Sequence, residues 1–144
     1  RDTAAPRQFP VKYAAVVKME LNAVDTAELR KIPGVGSGIA RMIVRYRQQL
    51  GGFYSIHQLD EIHLISANLS KWFTLNPALI RKMPINTAGL SRLNAHPYIN
   101  FYQAKVIVEY RRKHGLLKSL KQLSLHEEFS ESDLQRMGYY VTFD

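Results

Sequence analysis

With 144 residues the chain can form one domain or two small ones, and its apolar content, 46%, is enough for a core. There is no cysteine, which excludes a disulfide framework and a thiolate zinc site. The formal net charge of +8, from 20 basic and 12 acidic residues, favours a polyanionic partner or a membrane surface and says nothing about fold. The longest apolar run, near Tyr13 to Val17, is far too short to span a bilayer. The chain opens on Arg1 rather than methionine, which suggests trimming from a longer product.

Residues 1–17 contain Pro6 and Pro10, lack periodicity, and read as an arm or linker. Val16 to Leu21 has extended character. Asp25-Thr26-Ala27-Glu28 is a helix start with Asp25 as N-cap, and the helix it opens runs to about Lys31. Next comes Pro33-Gly34-Val35-Gly36-Ser37-Gly38-Ile39-Ala40. Apolar residues at helical spacing flank it, Ala27, Leu29 and Ile32 before, and Ile39, Ala40, Ile43, Val44 and Leu50 after. The run is therefore a tight turn between two helices. The amides of Gly36, Ser37 and Gly38 begin the second helix with no side chain to shield them. With the positive end of the helix dipole they form an anion site. Arg41 and Arg45 lie one turn apart on the outer face of that helix and Lys31 sits just before the turn, so all three are candidates for phosphate contact.

The second helix stops at Gly51-Gly52. Ser55-Ile56-His57-Gln58 is a capping box opening a third helix, and Ser66 is the expected cap of a fourth that reaches Trp72. Trp72 and Phe73 are expected over the core, and Pro77 prevents continuation.

The pattern then repeats. Residues 21–62 align without a gap with residues 85–126 at an offset of 64, with twelve identities in 42 positions. Among them are Asn22/Asn86, Pro33/Pro97, Ile43/Ile107, Arg47/Arg111, Gly51/Gly115 and Gln58/Gln122. The shared residues are core, cap and turn types, so one helical unit has been duplicated. The sequence predicts an arm over 1–17, a first unit over 18–78 and a second over 79–144. The fold class is all-α, two tandem four-helix units with minor short strands at the lead-ins and at the alternating tail Tyr139 to Phe143.

Four corners arise, and only the first carries the glycines. Its duplicate, His96-Pro97-Tyr98-Ile99-Asn100, has Tyr98 and Asn100 in place of Gly34 and Gly36. Asn100 with Gln103 should cap the very donors a phosphate needs, which makes that corner structural. The third, His63-Leu64-Ile65-Ser66, has no glycine. The fourth, Glu127 to Asp133, is acidic. Lys105, Arg111, Arg112, Lys113, Lys118 and Lys121 give the second unit its positive charge. The five histidines, His57, His63, His96, His114 and His126, are not paired at helical spacing and are read as surface or helix-end residues, not as ligands. No catalytic set stands out, and Asp60-Glu61 reads as a solvent-facing acidic pair, so no enzymatic activity and no small-molecule substrate are expected.

The hydrophobic-Pro-Gly-hydrophobic-Gly sequence Ile32 to Gly36, followed by Ala40, resembles the helix-hairpin-helix motif. That resemblance implies sequence-independent binding of DNA phosphates through the amides of Gly34, Val35, Gly36, Ser37 and Gly38. It also implies a monovalent cation, K⁺ or Na⁺, on main-chain carbonyls, here those of Arg30, Ile32 and Val35. Asn22-Ala23-Val24-Asp25, Ile43-Val44-Arg45-Tyr46-Arg47 and Gly51-Gly52-Phe53-Tyr54-Ser55 further resemble the ComEA-type competence DNA-uptake proteins. This implies a cell-envelope protein that holds double-stranded DNA. The alternative is a protein-interaction scaffold in which the hairpin survives only as a turn.

Overall fold

The computed structural model describes residues 11–63 and 68–144. The element order is β1 Met19–Glu20, α1 Thr26–Leu29, α2 Ser37–Leu50, β2 Phe73–Thr74, β3 Met83–Pro84, α3 Leu90–Ala95, α4 Phe101–His114, α5 Glu131–Met137 and β4 Val141–Thr142. Short 3₁₀ turns cover Ile56–Glu61, Ser70–Trp72, Pro77–Leu79 and Leu120–Leu123. The architecture is all-α with two minor parallel strand pairs, β1 with β2 and β3 with β4.

The duplication is visible atom by atom. Asn22 donates from Nδ2 to the Phe53 carbonyl and accepts from the Phe53 amide at 2.9 and 2.7 Å, and Asn86 does the same to Leu117 at 2.8 and 2.7 Å. Arg47 donates to the carbonyls of Leu21 and Val24, and Arg111 to those of Ile85 and Ala88. Each arginine thus ties the lead-in of its unit to the long helix. Arg111 is therefore an internal strut, not part of an outward basic surface. The long helices end on glycines with positive φ, Gly51 at 99° in the left-handed conformation and Gly115 at 83° with an extended ψ of −168°. In the closing strand the register slips. Phe73 pairs with Met19 while Val141 pairs with Met83, so the second unit has gained four residues before its last strand.

Each unit buries its own core. Leu21, Leu29, Ile32, Ile43, Leu50 and Phe53 fill the first, and Ile85, Leu93, Ile107, Leu117 and Leu123 the second. Removing a side chain such as Ile43 or Ile107, both wholly buried, should cost about 2–5 kcal/mol. Trp72 and Phe73 are buried against the first core, as expected.

The third predicted helix is a 3₁₀ turn rather than α. Ser55 and Gln58 do form the capping box, but only six residues follow before Ile62. The run closes on i→i−3 bonds and leaves helix at Ile62, whose amide donates to the Leu59 carbonyl and whose backbone is extended at φ −87° and ψ 122°. The fourth is reduced to Ser70–Trp72. Its expected cap, Ser66, and most of the third corner lie outside the described residues. The strands are shorter than the extended stretches suggested, two residues each.

The units are joined by the duplicated corner. His96 and Tyr98 are buried there, at 8% and 7% exposure. His96 Nε2 lies 2.8 Å from the Leu50 carbonyl oxygen, and its Nδ1 accepts from the Tyr98 amide. The Tyr98 hydroxyl meets Glu61 at 2.6 and 2.8 Å and accepts from Gln58 at 2.8 Å. Tyr140, from the end of the chain, donates to the Gly52 carbonyl at 2.7 Å. Tyr54 and Tyr139 stack with centroids 4.0 Å apart. Two expectations change here. His96 does sit at a helix end, as the C-cap of α3, but it is buried rather than on the surface, and both its ring nitrogens are satisfied between the units. Glu61 is not merely solvent-facing, because the Tyr46 and Tyr98 hydroxyls both converge on it. Burial is the main reason the Tyr98 hydroxyl is held far above the ordinary phenol range, with the Glu61 bond adding to it.

Candidate nucleic-acid interface

The first hairpin is exposed where the second is buried. Ile32 and Val35 anchor it in the core, at 0% and 1% exposure, while Pro33, Gly34, Gly36, Ser37 and Gly38 lie on the surface. The turn closes on the Val35 amide, which donates to the Ile32 carbonyl at 3.0 Å. Gly34 has φ 88°, a conformation that side chains avoid. Gly36 occupies the N-cap of α2 at φ −92° and ψ −174°. No side chain caps the helix, and no acidic residue lies in its first turn. Among the described residues no carbonyl accepts from the amides of Gly36, Ser37 or Gly38.

Gly36 and Gly38 have no internal reason to be glycine. Their backbone conformations suit any residue, and a Cβ added at either meets nothing within 4 Å. Gly51 is the contrast, since its Cβ would lie 2.4 Å from the Arg81 carbonyl oxygen. The glycines at 51 and 52 serve the fold, while those at 36 and 38 leave bare backbone facing solvent.

The other three corners differ as the sequence predicts wherever they are described. Asn100 accepts from the Gln103 amide at 2.8 Å, and Gln103 Oε1 accepts from the Asn100 amide at 2.9 Å, which fills that helix start. At the fourth corner Ser130 and Asp133 cap one another's amides at 3.0 Å.

Of the predicted phosphate contacts, Arg41 and Arg45 are exposed on α2, roughly 6 Å apart along its axis. Among the described residues neither forms an ion pair. Lys31 is differently placed. It pairs with Glu28 at 2.9 Å and lies 5.9 Å from the Tyr13 ring centre. Glu28 is held below the usual carboxylate range, first by the Tyr13 hydroxyl and then by Lys31. Its charge offsets that of Lys31, so the arginines dominate this surface.

The carbonyls of Arg30, Ile32 and Val35 do converge as a cation cradle would. The Lys12 ammonium lies on them, donating to Val35 at 2.8 Å, to Ile32 at 3.3 Å and to Arg30. The cradle therefore does not fit a separate K⁺ or Na⁺ while Lys12 is in place. Among the described residues no group of three histidine, cysteine or acidic side chains is arranged to hold a metal.

A second basic surface lies at the far end of α2. A cleft of about 700 Å³ between the units is lined by Arg47, Arg81, Lys82, Arg92 and His96, with no carboxylate among its walls.

A model of the helix-hairpin-helix motif matches residues 14–71 and again residues 80–142, nearly the whole chain. The chain belongs to the helix-hairpin-helix family. Each unit is one copy of the motif, and the copies differ in what their hairpins offer. The helix-hairpin-helix chain is also similar to endonuclease/exonuclease/phosphatase family domain-containing protein 1 from Danio rerio. Identity there is 29%, over 86% of this chain and 26% of the relative. The proteins of that name from Mus musculus and Homo sapiens are 24% and 23% identical, over 86% of this chain and 28% of theirs. The chain thus spans about a quarter of the length of these relatives. No solved structure matches it. No helix among the described residues is long and apolar enough to cross a membrane.

Proposed function

We propose that this chain is a non-catalytic module that binds double-stranded DNA through its phosphates, without regard to sequence. The observation that carries the reading is the pair Gly36 and Gly38. Nothing inside the fold calls for glycine at either position, yet both leave the start of a 14-residue helix open to solvent. A phosphate oxygen held there meets several amide donors and a positive helix end. Arg41 and Arg45 then reach neighbouring phosphates. Phosphate contacts position a protein on DNA and read no bases.

The basic cleft at the far end of α2 offers a second place for phosphate on the same module. From the hairpin to the Gly51 end, α2 runs about 21 Å, roughly six base pairs of B-DNA. With about 3–5 phosphates neutralised, log affinity should fall against log salt with a slope of about −3 to −4. Affinity at physiological salt should lie on the order of 10⁻⁴–10⁻⁶ M.

In the relatives, the matching segment is a quarter of a protein named for an endonuclease/exonuclease/phosphatase domain. A phosphate-gripping module suits such a setting, where it holds a nucleic acid beside a catalytic domain. It equally suits DNA uptake at the cell envelope, the role implied by resemblance to the ComEA-type proteins. A scaffold role has one observation in its favour, the exposed pair Phe101 and Tyr102 at the positions matching Ser37 and Gly38.

The deciding experiment is a salt-titrated DNA-binding assay of the parent and an Arg41→Glu/Arg45→Glu variant. The variant should bind at least tenfold more weakly, with a slope shallower by about 2. Equal binding by both rejects the DNA reading and leaves the scaffold.

A further inference from the structure

We propose that Lys12 is a tethered cation: its ammonium takes the place of a free alkali ion beneath the first hairpin and makes that hairpin indifferent to which alkali ion is in solution. An ammonium has three donors and no acceptor. Lys12 Nζ lies within hydrogen-bond distance of three carbonyl oxygens, those of Arg30, Ile32 and Val35. Every donor has an oxygen, and each of the three oxygens has the same charged partner. These oxygens flank the turn whose next amides, Gly36 to Gly38, face solvent. Carbonyls crowded together at the end of α1 repel one another, and a positive charge among them fixes the turn.

The residue next in sequence shows that this placement is built in. Tyr13 is fastened at three points. Its amide donates to the Lys31 carbonyl at 2.8 Å and its hydroxyl to Glu28 at 2.7 Å, and its ring stacks on Trp72 at 6.2 Å. Lys12 is thereby delivered to the cradle by a backbone that is already held. Its effective concentration at the carbonyls exceeds that of a dissolved ion.

The two repeats make the same point from opposite sides. The position 64 residues on from Lys12, ahead of the second unit, is Asn76, which caps the Pro77–Leu79 turn through the Ala78 amide and makes no bond to the second hairpin. That hairpin is supported by burial of His96 and Tyr98 against the first unit. The first hairpin has no such cover and relies on the lysine strap. A hairpin that must stay exposed is fastened from beneath by a charge, and the buried one is fastened by packing.

The inference concerns the hairpin itself and needs no DNA for its first readout; its second readout rests on the reading above. The test measures the melting temperature of the whole chain in KCl, NaCl and choline chloride at one ionic strength, for the parent and for Lys12→Ala. DNA affinity is then measured in the same salts. The parent should melt within about 1 °C in all three salts and bind DNA within twofold. Lys12→Ala should melt several degrees lower in choline than in KCl, and should lose DNA affinity in choline at least fivefold more than in KCl. Lys12→Met, which keeps the methylene stem, should show the same cation dependence if the alanine variant folds poorly. A parent that already distinguishes KCl from choline, or variants that distinguish neither, overturns the proposal. If neither protein binds DNA but the melting pattern holds, the tethered cation stands and the DNA reading falls.

Discussion

His96 Nε2 of the second unit faces the carbonyl oxygen of Leu50, the last residue of α2, at 2.8 Å. Its other nitrogen accepts from the Tyr98 amide, so Nδ1 carries no hydrogen and Nε2–H is the donor to Leu50. One neutral tautomer serves both bonds, and a second proton on Nδ1 would abolish the bond to Tyr98.

The first prediction follows from that ring. Burial holds His96 below the ordinary imidazole value of 6.5, with the Leu50 bond opposing in part. The unfolded chain therefore takes up the proton before the folded one does. The stabilisation is complete above about pH 6.5 and is lost as pH falls below it, by at most about 1.4 kcal/mol per pH unit. Melting followed from pH 7.5 to 5 should show this decline. It should be flatter in His96→Gln, which starts less stable because the Leu50 and Tyr98 partners are poorly met.

Glycine substitutions should separate fold from function. Gly51→Ala places a methyl 2.4 Å from the Arg81 carbonyl oxygen at φ 99°, and should cost more than about 2 kcal/mol in a denaturant titration. Gly38→Ala meets no neighbour and lies in a helix, so stability should hold or rise by up to about 1 kcal/mol. The same methyl stands beside the bare amides and should reduce DNA affinity severalfold. Loss of stability at 38, or unchanged DNA affinity there, would remove the reason for giving this glycine a binding role.

The basic cleft gives a third prediction. Arg81 and Lys82 are exposed in its walls, at the opposite end of α2 from the hairpin. Arg81→Glu/Lys82→Glu should leave melting nearly unchanged and make the salt slope shallower by about 1–2. A slope equal to that of the parent places the cleft outside the DNA path.

Much of this molecule was legible in its residues, because its signals are local. The Pro33–Gly38 turn and the Asn100–Gln103 cap each depend on residues within a few positions, and the structure shows both as read. The offset of 64 carried the internal symmetry, down to the paired asparagines and arginines. Long-range contacts were not legible. Lys12 binds carbonyls 18 to 23 positions away, from a segment with no periodicity, and main-chain oxygens leave no mark in a sequence. Tyr98 stood out as a departure from the glycine hairpin, whereas His96 was read only as a surface or helix-end residue. Their partners Leu50, Gln58 and Glu61 belong to the other unit, and no spacing rule links them. The third helix was overread for a simpler reason: a correct cap marks where a turn starts, not whether it continues as α or as 3₁₀.

The most direct test of the amide grip is a titration of the ¹⁵N-labelled chain with two short duplexes of unrelated sequence, followed amide by amide. The backbone signals of Gly36, Ser37 and Gly38 should move first and most, together with that of Arg41, and in the same direction for both duplexes. Asn100 to Gln103 should stay still. Shifts that avoid the first hairpin, or that differ between the two sequences, would contradict the claim that its open amides hold phosphate.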